Sequence, residues 1–303
     1  MTCSTTEVNG GAALRLASRD LELVVTTSFG PRISSLRGGR GKGENLLLEI
    51  LAKDESLGEF ILRGGHRLWH SPEDRRRTYQ PDNDPLKVKK IPRGVELTQP
   101  VEPKTGLQKA IKIELLGHAT VRLTHTLTNR GLWSVTCAPW ALTMLRPGGY
   151  GVVPLPVRGN HASSLLPTYA MVPWSYTDFS LPVWDFHSEF IGIEVNLAKS
   201  AQKLGLAGHP GWSAYWSDGS VFVKHAQRKS GADYPDFGCD FETFTNGKMI
   251  ELETLGVLAP IAPGKRARHV EHWTVLAGMA KPNTPAAFRQ LQAKVQRWLK
   301  ILC

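Results

Sequence analysis

Short segments in which apolar and polar residues alternate recur along most of the chain, and this pattern constrains the fold more than any other feature. Residues 95–98, 107–115 and 119–128 follow one another with turn signals between them. The pattern returns later, at residues 190–195, 214–217, 221–226, 239–245, 249–254 and 269–276. Alternation with a period of two is typical of β-strands with one buried face. Many short strands at close spacing predict an all-β sandwich or barrel of antiparallel strands.

The end of the chain follows a different pattern. Phe288, Leu291, Val295 and Trp298 recur at helical spacing after Pro285, a residue typical of a helix start. We therefore predict an amphipathic helix over about residues 284–302 that packs on the sheet. Its polar face is mixed rather than strongly basic, which favours packing over a membrane or partner role. No repeat, low-complexity tract or linker divides the chain, so one domain over residues 1–303 is expected, with its core at about residues 12–277.

Composition narrows the class of protein. The chain has 303 residues, of which 41% are hydrophobic, enough to bury a large core. It has no run of eighteen apolar residues, and its first residues form no signal-peptide pattern, so a cytoplasmic protein without a membrane partner is expected. Its cysteines lie too far apart for a disulfide framework or CxxC metal spacing, which predicts reduced thiols at Cys3, Cys137, Cys239 and Cys303. The oligomeric state is not indicated.

The formal net charge of +10 raises the question of a nucleic-acid partner, because clustered Lys and Arg neutralise phosphates. The basic residues form local groups at residues 75–77, 87–90 and 265–268, but no known nucleic-acid motif surrounds them. We therefore expect no nucleic-acid partner. An acidic small ligand, such as a uronic acid or a sugar phosphate, would benefit from the same field. A basic protein without an anionic ligand is the alternative.

The stretch ILRGGHRLWHSPEDRRRTYQPDND, residues 61–84, concentrates groups that bind ligands. The glycine pair lets the backbone turn, and Pro72 and Pro81 argue against a helix, so a strand followed by an irregular loop is predicted. On an extended backbone His66 and His70 share a face. Anchored loops often carry binding groups, although a solvated surface loop is the alternative. The candidate ligand-binding residues of this stretch are Arg63, Arg67, Trp69, Glu73, Tyr79 and Asp82.

A second candidate site lies in the strand pattern at residues 249–254. Glu251 and Glu253 share one face, with Leu252 on the other. On a concave surface the two carboxylates would repel each other, so one would take up a proton more readily and the pair would suit acid–base chemistry. The alternative is a solvated outer face.

Further polar and aromatic groups offer the contacts that sugars need, namely charged side chains for adjacent hydroxyls and a ring for the apolar face. One group contains Lys224, His225, Tyr234, Asp236, Asp240 and Glu242, and another contains His269, Glu271 and Trp273. Trp273 equally suits core packing. His161 lies in a long Pro/Gly-rich segment, a kind of segment that is usually functional or covers another part of the structure. Lys224, Asp240, Glu242 and His161 are retained as candidate binding residues.

His66, His70 and the acidic residues near them are conceivable metal ligands. Zinc enzymes usually bring three ligands to an open site, and HRLWH lacks the glutamate of HExxH. No metal and no other cofactor is expected.

Four segments resemble a known superfamily. RGGHRLWHSPE resembles the arginine and paired-glycine segment of hexose-6-phosphate mutarotases, in the galactose mutarotase-like superfamily. IELETLGVLAPIAPGKRARHVEHW resembles the glutamate strand, turn and final strand of that superfamily, and GPRISSLR and TNRGLWSVTCAPWALTMLRPGG resemble a less studied mutarotase-like branch. The resemblance covers most of residues 12–277. It implies a β-supersandwich whose concave face binds a carbohydrate.

The resemblance also implies a chemistry. In sugar mutarotases of this fold a histidine acts as acid and a glutamate as base, and Glu253 lies where the base would be. The strand that usually carries the histidine reads Ala138-Pro139-Trp140-Ala141-Leu142-Thr143 here, so His66, His70 or His161 would have to supply the proton. The leading hypothesis is an aldose epimerase with Glu253 as base and His66 or His70 as acid. A noncatalytic sugar-binding or sensor module and a sugar-acid lyase, with Arg67 or Lys224 neutralising the carboxylate of the substrate, are the alternatives.

Overall fold

The structure is a computed structural model that describes residues 2–39, 41–117 and 119–302. In chain order the strands begin with β1 (Thr2–Val8), β2 (Gly11–Ala17), β3 (Leu21–Thr26), β4 (Arg32–Gly38), β5 (Glu49–Lys53), β6 (Ile61–Gly64), β7 (His66–Ser71), β8 (Lys87–Ile91), β9 (Gly94–Thr98), β10 (Leu107–Gly117), β11 (Thr120–Asn129) and β12 (Val135–Leu145). They continue with β13 (Tyr150–Pro154), β14 (Ala170–Pro173), β15 (Trp184–Phe186), β16 (Phe190–Glu194), β17 (Gln202–Ala207), β18 (Trp212–Ser217), β19 (Ser220–His225), β20 (Phe241–Thr245), β21 (Ile250–Leu255), β22 (Ala259–Ile261) and β23 (Arg266–Ala277). The helices are two short 3₁₀ turns, Glu55–Leu57 and Val195–Leu197, then α1 (Pro235–Gly238) and α2 (Pro285–Leu302).

Two large antiparallel sheets make up most of the described chain. Sheet 1 has the order β1-β2-β3-β4-β7-β12-β21-β20-β17-β14, with β22 paired to β12. Sheet 2 has the order β15-β16-β13-β18-β19-β23-β11-β10-β9-β8, and β5 and β6 form a separate hairpin. The predicted all-β architecture of antiparallel strands with a C-terminal helix is therefore confirmed. The assignment of residues 1–303 to one domain stays a prediction.

The main hydrophobic core lies between the two sheets. Alternation along the strands sends Leu23, Ile33 and Leu68 of sheet 1 and Ile111 and Leu123 of sheet 2 into it, each with an exposed fraction of 3% or less. Full burial of such side chains stabilises the fold by about 1.5–3 kcal/mol each. This core fixes which face of each sheet is turned away from the other sheet.

Helix α2 covers part of the outer face of sheet 2. Phe288 stacks on Phe190 of β16 with ring centroids 4.5 Å apart, and Trp212 of β18 lies beside it at 6.1 Å. Leu291 and Val295 pack in the same cluster. The prediction that the C-terminal helix packs on the sheet is thus confirmed.

The glycine pair before β7 is required by its surroundings. Gly64 and Gly65 both have φ of 67°, a left-handed conformation that favours glycine. A Cβ on Gly65 would lie 2.3 Å from the carbonyl oxygen of Ile33, and one on Gly64 would lie 2.2 Å from that of Leu48. The pair therefore lets the chain pass from the β5–β6 hairpin into the centre of sheet 1.

The described cysteines are free thiols, and two of them are buried. Cys137 and Cys239 are buried and free, and Cys3 is free and partly buried. Burial raises the pKa of the Cys137 thiol to about 11, which keeps it protonated at neutral pH. Cys303 lies outside the described residues.

Candidate functional site

The outer face of sheet 1, turned away from sheet 2, carries polar and aromatic side chains on its central strands. Along β7, β12 and β21 every second side chain points outward. The register places Leu142 of β12 opposite both Arg67 of β7 and Glu253 of β21. Trp140 lies on the same face as Leu142 and opposite Trp69. Three strands therefore bring two indole rings, a guanidinium and a carboxyl to one surface.

This surface is the floor of a cavity of about 340 Å³, a volume typical of small-molecule sites. The β5–β6 hairpin and the loop after β7 form its walls. Aromatic side chains make up much of the lining, and these are Phe60, Trp69, Tyr79, Trp140, Tyr176 and Phe244.

Four of these rings pack on one another. The ring centroids of Trp69 and Tyr79 lie 4.8 Å apart, and those of Trp69 and Trp140 lie 5.6 Å apart. Phe60 meets Tyr79 edge-on at 5.4 Å. Edge-to-face contacts of this kind add about 0.5–1.5 kcal/mol per pair beyond the area that they bury. The aromatic side of the cavity is therefore held in a defined arrangement without a ligand.

An arginine–carboxylate pair forms the polar part of the floor. Arg67 Nη1 donates a hydrogen bond of 3.0 Å to Glu251 Oε1, and both side chains are at most 8% exposed. The guanidinium carbon of Arg67 lies 4.1 Å from the centre of the Trp69 ring. At the wall, the Tyr79 hydroxyl donates to Glu73, and burial together with that carboxylate raises the pKa of Tyr79. These groups offer hydrogen bonds next to aromatic rings.

A lysine and two glutamates lie beside this pair. Lys203 Nζ of β17 lies 2.8 Å from Glu242 Oε2 and 3.0 Å from Glu253 Oε2. Trp140 Nε1 donates to the same Glu253 oxygen at 2.8 Å. Lys203 Nζ also lies 4.7 Å from the ring centres of Trp140 and Trp174. Lys203 lines the cavity, whereas Glu242 and Glu253 lie behind it with exposed fractions of 1% and 0%.

Glu242 and Glu253 both pair with Lys203, and this shared ammonium affects the pKa of each carboxyl. Burial raises the pKa of Glu242 well above its ordinary value and raises that of Glu253, while the ammonium of Lys203 opposes both shifts. Burial alone would lower the pKa of Lys203, but the carboxylates of Glu253 and Glu242 outweigh it and keep the lysine charged. Oε1 of each glutamate has no hydrogen-bond partner within the described residues. One of the two carboxyls therefore takes up a proton more readily than an exposed glutamate does.

Five of the residues predicted from the sequence as binding residues line the cavity. They are Arg67, Trp69, Glu73, Tyr79 and Glu251. Glu253 and Glu242 are on the same face of sheet 1, directly behind Lys203. The stretch at residues 61–84 and the strand at residues 249–254 therefore both contribute to this cavity, although the roles of these residues stay predictions.

Other predicted residues do not reach the cavity. Asp82 forms ion pairs with Arg32 and Arg63 at 2.9 and 3.0 Å, so Arg63 is held away from the floor. Asp240 accepts hydrogen bonds from the backbone of Gly208 at 2.9 Å and from Arg228 at 2.7 Å, which makes it part of a turn. His161 is exposed and lines a separate depression on the loop after β13. Arg63, Asp82, Asp240 and His161 are therefore outside the described lining of this cavity, and a role for them in ligand binding stays a prediction.

His66 and His70 lie on the opposite face of sheet 1 from Glu253. Because they alternate with Arg67 and Trp69 along β7, they point into the space between the sheets. His66 Nδ1 lies 3.0 Å from Thr143 Oγ1, and its Nε2 lies 2.7 Å from His125 Nε2. Burial lowers the pKa of His66 well below its ordinary value and that of His70 to about 4. The hypothesis that either histidine acts as the acid opposite Glu253 is therefore wrong.

Lys224 also lies between the sheets rather than at the ligand. Its Nζ is 2.9 Å from Glu271 Oε1 and donates to the carbonyl oxygens of Ala141 and Leu252 at 2.8 and 2.9 Å. Burial lowers the pKa of Lys224, and Glu271 opposes that shift. Lys224 therefore cannot neutralise a substrate carboxylate in the cavity, which removes it from the lyase hypothesis.

The space between the sheets also brings together groups that bind metals. One ligand atom each of His66, His125 and Glu271 lies within 4.8 Å of the others, whereas His70 is not part of this group. Each already has a partner, because the two imidazoles bond to each other and Glu271 receives Lys224 and the indole N–H of Trp273. The ammonium of Lys224 supplies the positive charge that a metal ion would bring.

Two important cavity residues were missed from the sequence. Lys203 lies on β17, where Gln202, Leu204 and Leu206 point into the core and Lys203 points to the other face. A single lysine in such a pattern is also typical of a solvated face. Trp140 lies on the strand that carries the acid histidine in sugar mutarotases of this fold, and its sequence context does not separate a cavity residue from a core residue. The aromatic residues that line the cavity, Tyr176 among them, were the signal that could have identified Lys203 and Trp140 as cavity residues.

No helix in the described ranges is long and apolar enough to span a membrane. No protein-family model and no curated protein matches the chain.

Solved structures, in contrast, are similar over most of the chain. A galactose mutarotase-like protein from Lactobacillus casei is 11% identical, with a TM-score of 0.58 over 91% of this chain and 100% of that protein. A putative aldose 1-epimerase from Escherichia coli is 12% identical, with a TM-score of 0.56 over 91% and 100%. A TPR-domain-containing protein from Parabacteroides distasonis has a TM-score of 0.59 at 12% identity, and this chain spans 48% of its length. At such identities the similarity establishes the fold, and the predicted galactose mutarotase-like supersandwich is confirmed.

Proposed function

We propose that the cavity on the outer face of sheet 1 binds a carbohydrate. The observation that carries the proposal is the arrangement of Trp69, Trp140 and Tyr79 beside Arg67 and Glu251 within about 340 Å³. An aromatic ring covers the apolar face of a pyranose, and paired charged groups bond to its hydroxyls. Pockets of this kind are mainly apolar, with a few placed polar groups that fix the orientation of the ligand.

The charges favour a neutral sugar over an acidic one. Arg67 is engaged by Glu251, and Lys203 is engaged by Glu242 and Glu253. A sugar carboxylate or phosphate would lie beside these acidic groups, and Lys53, the lining cation without an ion pair among the described residues, is exposed to solvent. The acidic ligand expected from the net charge is therefore not assigned to this cavity.

Binding is tested by calorimetric titration of the protein with a panel of neutral hexoses and the matching uronic acids. Tyr176 lines the cavity and is 45% exposed, so Tyr176→Ala removes one aromatic wall without opening the core. Phe179→Ala is the matched control, since Phe179 is 43% exposed and does not line the cavity. We expect the first variant to weaken binding of a neutral hexose about 3- to 10-fold and the second to leave it unchanged. Tighter binding of uronic acids, or equal effects of both variants, would contradict the proposal.

Aldose epimerase chemistry is the second candidate, and Glu253 is the observation that favours it. Its Oε1 has no partner within the described residues, and burial raises its pKa, which suits a carboxyl that takes up a proton during a reaction. The acid would be a hydroxyl of the cavity, Tyr79 or Tyr176, instead of an imidazole. Ring opening needs the base to take the anomeric hydroxyl proton while the acid protonates the ring oxygen.

The rate of anomer interconversion, measured by NMR saturation transfer, tests this chemistry. We expect Glu253→Gln to reduce the rate at least about 100-fold while hexose binding changes little, because general base catalysis contributes about 10²- to 10⁴-fold. A wild-type protein that binds a hexose but does not accelerate its interconversion would leave the noncatalytic binding module as the function. The lyase alternative is not favoured, because Arg67 is already paired with Glu251.

A further inference from the structure

The outer face of sheet 2 is divided into two different halves. Helix α2 covers β16, β13, β18 and β19 through apolar contacts. The other half, formed by β23, β11, β10, β9 and β8, holds a depression of about 530 Å³. Its lining carries six cations, and these are Lys87, Lys89, Lys112, Arg130, Arg266 and Arg268. We call this half the basic face.

The strand register spaces the cations across the basic face. One row runs from Lys87 through Thr98, Ala110 and Thr126 to Arg268. Adjacent strands lie about 4.8 Å apart, so Lys87 and Arg268 are separated by about 19 Å. Cations therefore lie on both sides of the depression, with threonine hydroxyls between them.

Most of these cations are not neutralised by the protein. Within the described ranges, no carboxylate lies within 4.0 Å of the charged nitrogens of Lys87, Lys89, Arg266 or Arg268. Lys112 is paired with Glu114 at 3.1 Å. Among the described lining residues Glu96 is the one acidic residue, and the strand register places it opposite Lys89 and Lys112. The basic face therefore keeps a positive field that an anion can use.

Protection of the sheet edge accounts for only part of this pattern. β8 is an edge strand, and lysines on edge strands prevent pairing with other chains. Arg266 and Arg268 lie on β23 opposite Thr128 and Thr126 of β11, in a part of β23 that β19 does not reach, because β19 pairs only with residues 272–277. Lys112, in contrast, lies on β10 between β9 and β11, and edge protection gives no reason for a lysine at this inner position.

We propose that the basic face binds a linear acidic glycan that carries carboxylates or sulfates. Its cations would neutralise the anionic groups, and the hydroxyls of Thr98, Thr124, Thr126 and Thr128 and the amide of Gln108 would bond to sugar hydroxyls. No aromatic ring is among the described lining residues, so the face lacks the stacking platform of single-strand nucleic-acid sites. The apolar side chains that it presents are small, Ala110 in the depression and Val270 on β23, and neither is typical of insertion into a membrane surface.

The test uses the full chain and fluorescently labelled oligogalacturonate and heparin oligosaccharides, followed by anisotropy at several salt concentrations. Lys89→Glu combined with Arg268→Glu reverses one cation on each side of the depression. Arg297→Glu combined with Lys300→Glu is the control, because it gives the same change in net charge on the exposed side of α2. We expect the wild-type protein to bind, with the logarithm of the affinity falling linearly with the logarithm of the salt concentration. The Lys89/Arg268 variant should bind at least about 10-fold more weakly, and the control within about 2-fold of wild type.

Three results would overturn the proposal. These are the absence of binding at low salt, equal weakening in both variants, and tighter binding of oligo(dT), duplex DNA or phosphatidylserine vesicles than of the glycans. Circular dichroism checks that both variants are folded, which their exposed positions favour. Because the cavity is on sheet 1, hexose titration of the Lys89/Arg268 variant should be unchanged, and this keeps the outcome separate from that of the proposed function.

Discussion

Replacing Lys203 with methionine tests whether this lysine holds two buried carboxylates in place. Methionine keeps an unbranched side chain but removes the ammonium, which lies 2.8 Å from Glu242 and 3.0 Å from Glu253. Removing one partner of a buried pair typically costs about 3–5 kcal/mol of unfolding free energy, because the remaining charge is left uncompensated. We expect a loss in this range at pH 8.

The loss should depend on pH, with a definite sign. Burial already raises the pKa of Glu242 and Glu253 in the folded protein, and only Lys203 opposes that shift strongly. In the variant the folded state prefers the protonated carboxyls. Their contribution to stability is then fully present below the pKa of the unfolded chain, about 4.3, and is lost as the pH rises through the higher folded pKa. The difference in stability between variant and wild type should therefore be smaller at pH 5 than at pH 8.

Urea unfolding followed by tryptophan fluorescence at both pH values measures this difference. Lys281→Met is the matched control, since Lys281 pairs with Glu194 near the surface, and such pairs contribute about 0–1 kcal/mol. Combining Lys203→Met with Glu242→Gln and Glu253→Gln should recover part of the loss, because none of the three side chains then carries a buried charge. An equal loss at pH 5 and pH 8, or a loss no larger than that of the control, would refute the reasoning.

Three further perturbations follow from the geometry. Gly65→Ala places a Cβ 2.3 Å from a backbone oxygen at positive φ and should cost about 2–4 kcal/mol in urea unfolding, whereas Gly10→Ala, with φ of 73° and open space around it, should cost only about 1 kcal/mol. Phe288→Ala should cost about 3–5 kcal/mol and loosen α2, while Ile301→Ala, at a 62% exposed position, should stay within about 0.5 kcal/mol, as judged from thermal unfolding. Burial lowers the pKa of His125 to about 3, so its contribution to stability is present above about pH 6.5 and is lost on acidification. The loss of unfolding free energy between pH 7 and pH 5 should therefore be about 2 kcal/mol smaller in His125→Gln than in the wild-type protein. An unchanged dependence of stability on pH would contradict this.

The strand pattern predicted which residues share a face but not where that face points. The even spacing correctly grouped His66 with His70 and Glu251 with Glu253. β7 and β21, however, are buried on both faces, because one side meets sheet 2 and the other meets the cavity. A strand buried on both sides carries no signal that separates core from cavity. The histidines were therefore assigned to the wrong side, although their grouping was right.

Contacts between distant parts of the chain were beyond the reach of local patterns. Arg67 and Glu251 are 184 residues apart and meet only because β12 pairs with both of their strands. Both were named as candidates, but their ion pair depends on a register that the sequence does not display. The same limit applied to Lys203, whose partners lie on two other strands. The residue types thus indicated a polar site, whereas the ion pairs within it depend on which strands the sheet topology brings together.

The misassigned Lys224 still contributes to the geometry of the cavity, by acting from the other side of the sheet. Its ammonium, on β19 of sheet 2, bonds to the carbonyl oxygens of Ala141 on β12 and Leu252 on β21. Trp140 and Glu253 are the next residues on those strands, and they point to the cavity. A buried ion pair such as Lys224–Glu271 is weak grounds for stability, because desolvation offsets much of its attraction. Its directional hydrogen bonds instead fix the relative position of β12 and β21, so the polar groups between the sheets set the spacing of the residues that the cavity presents.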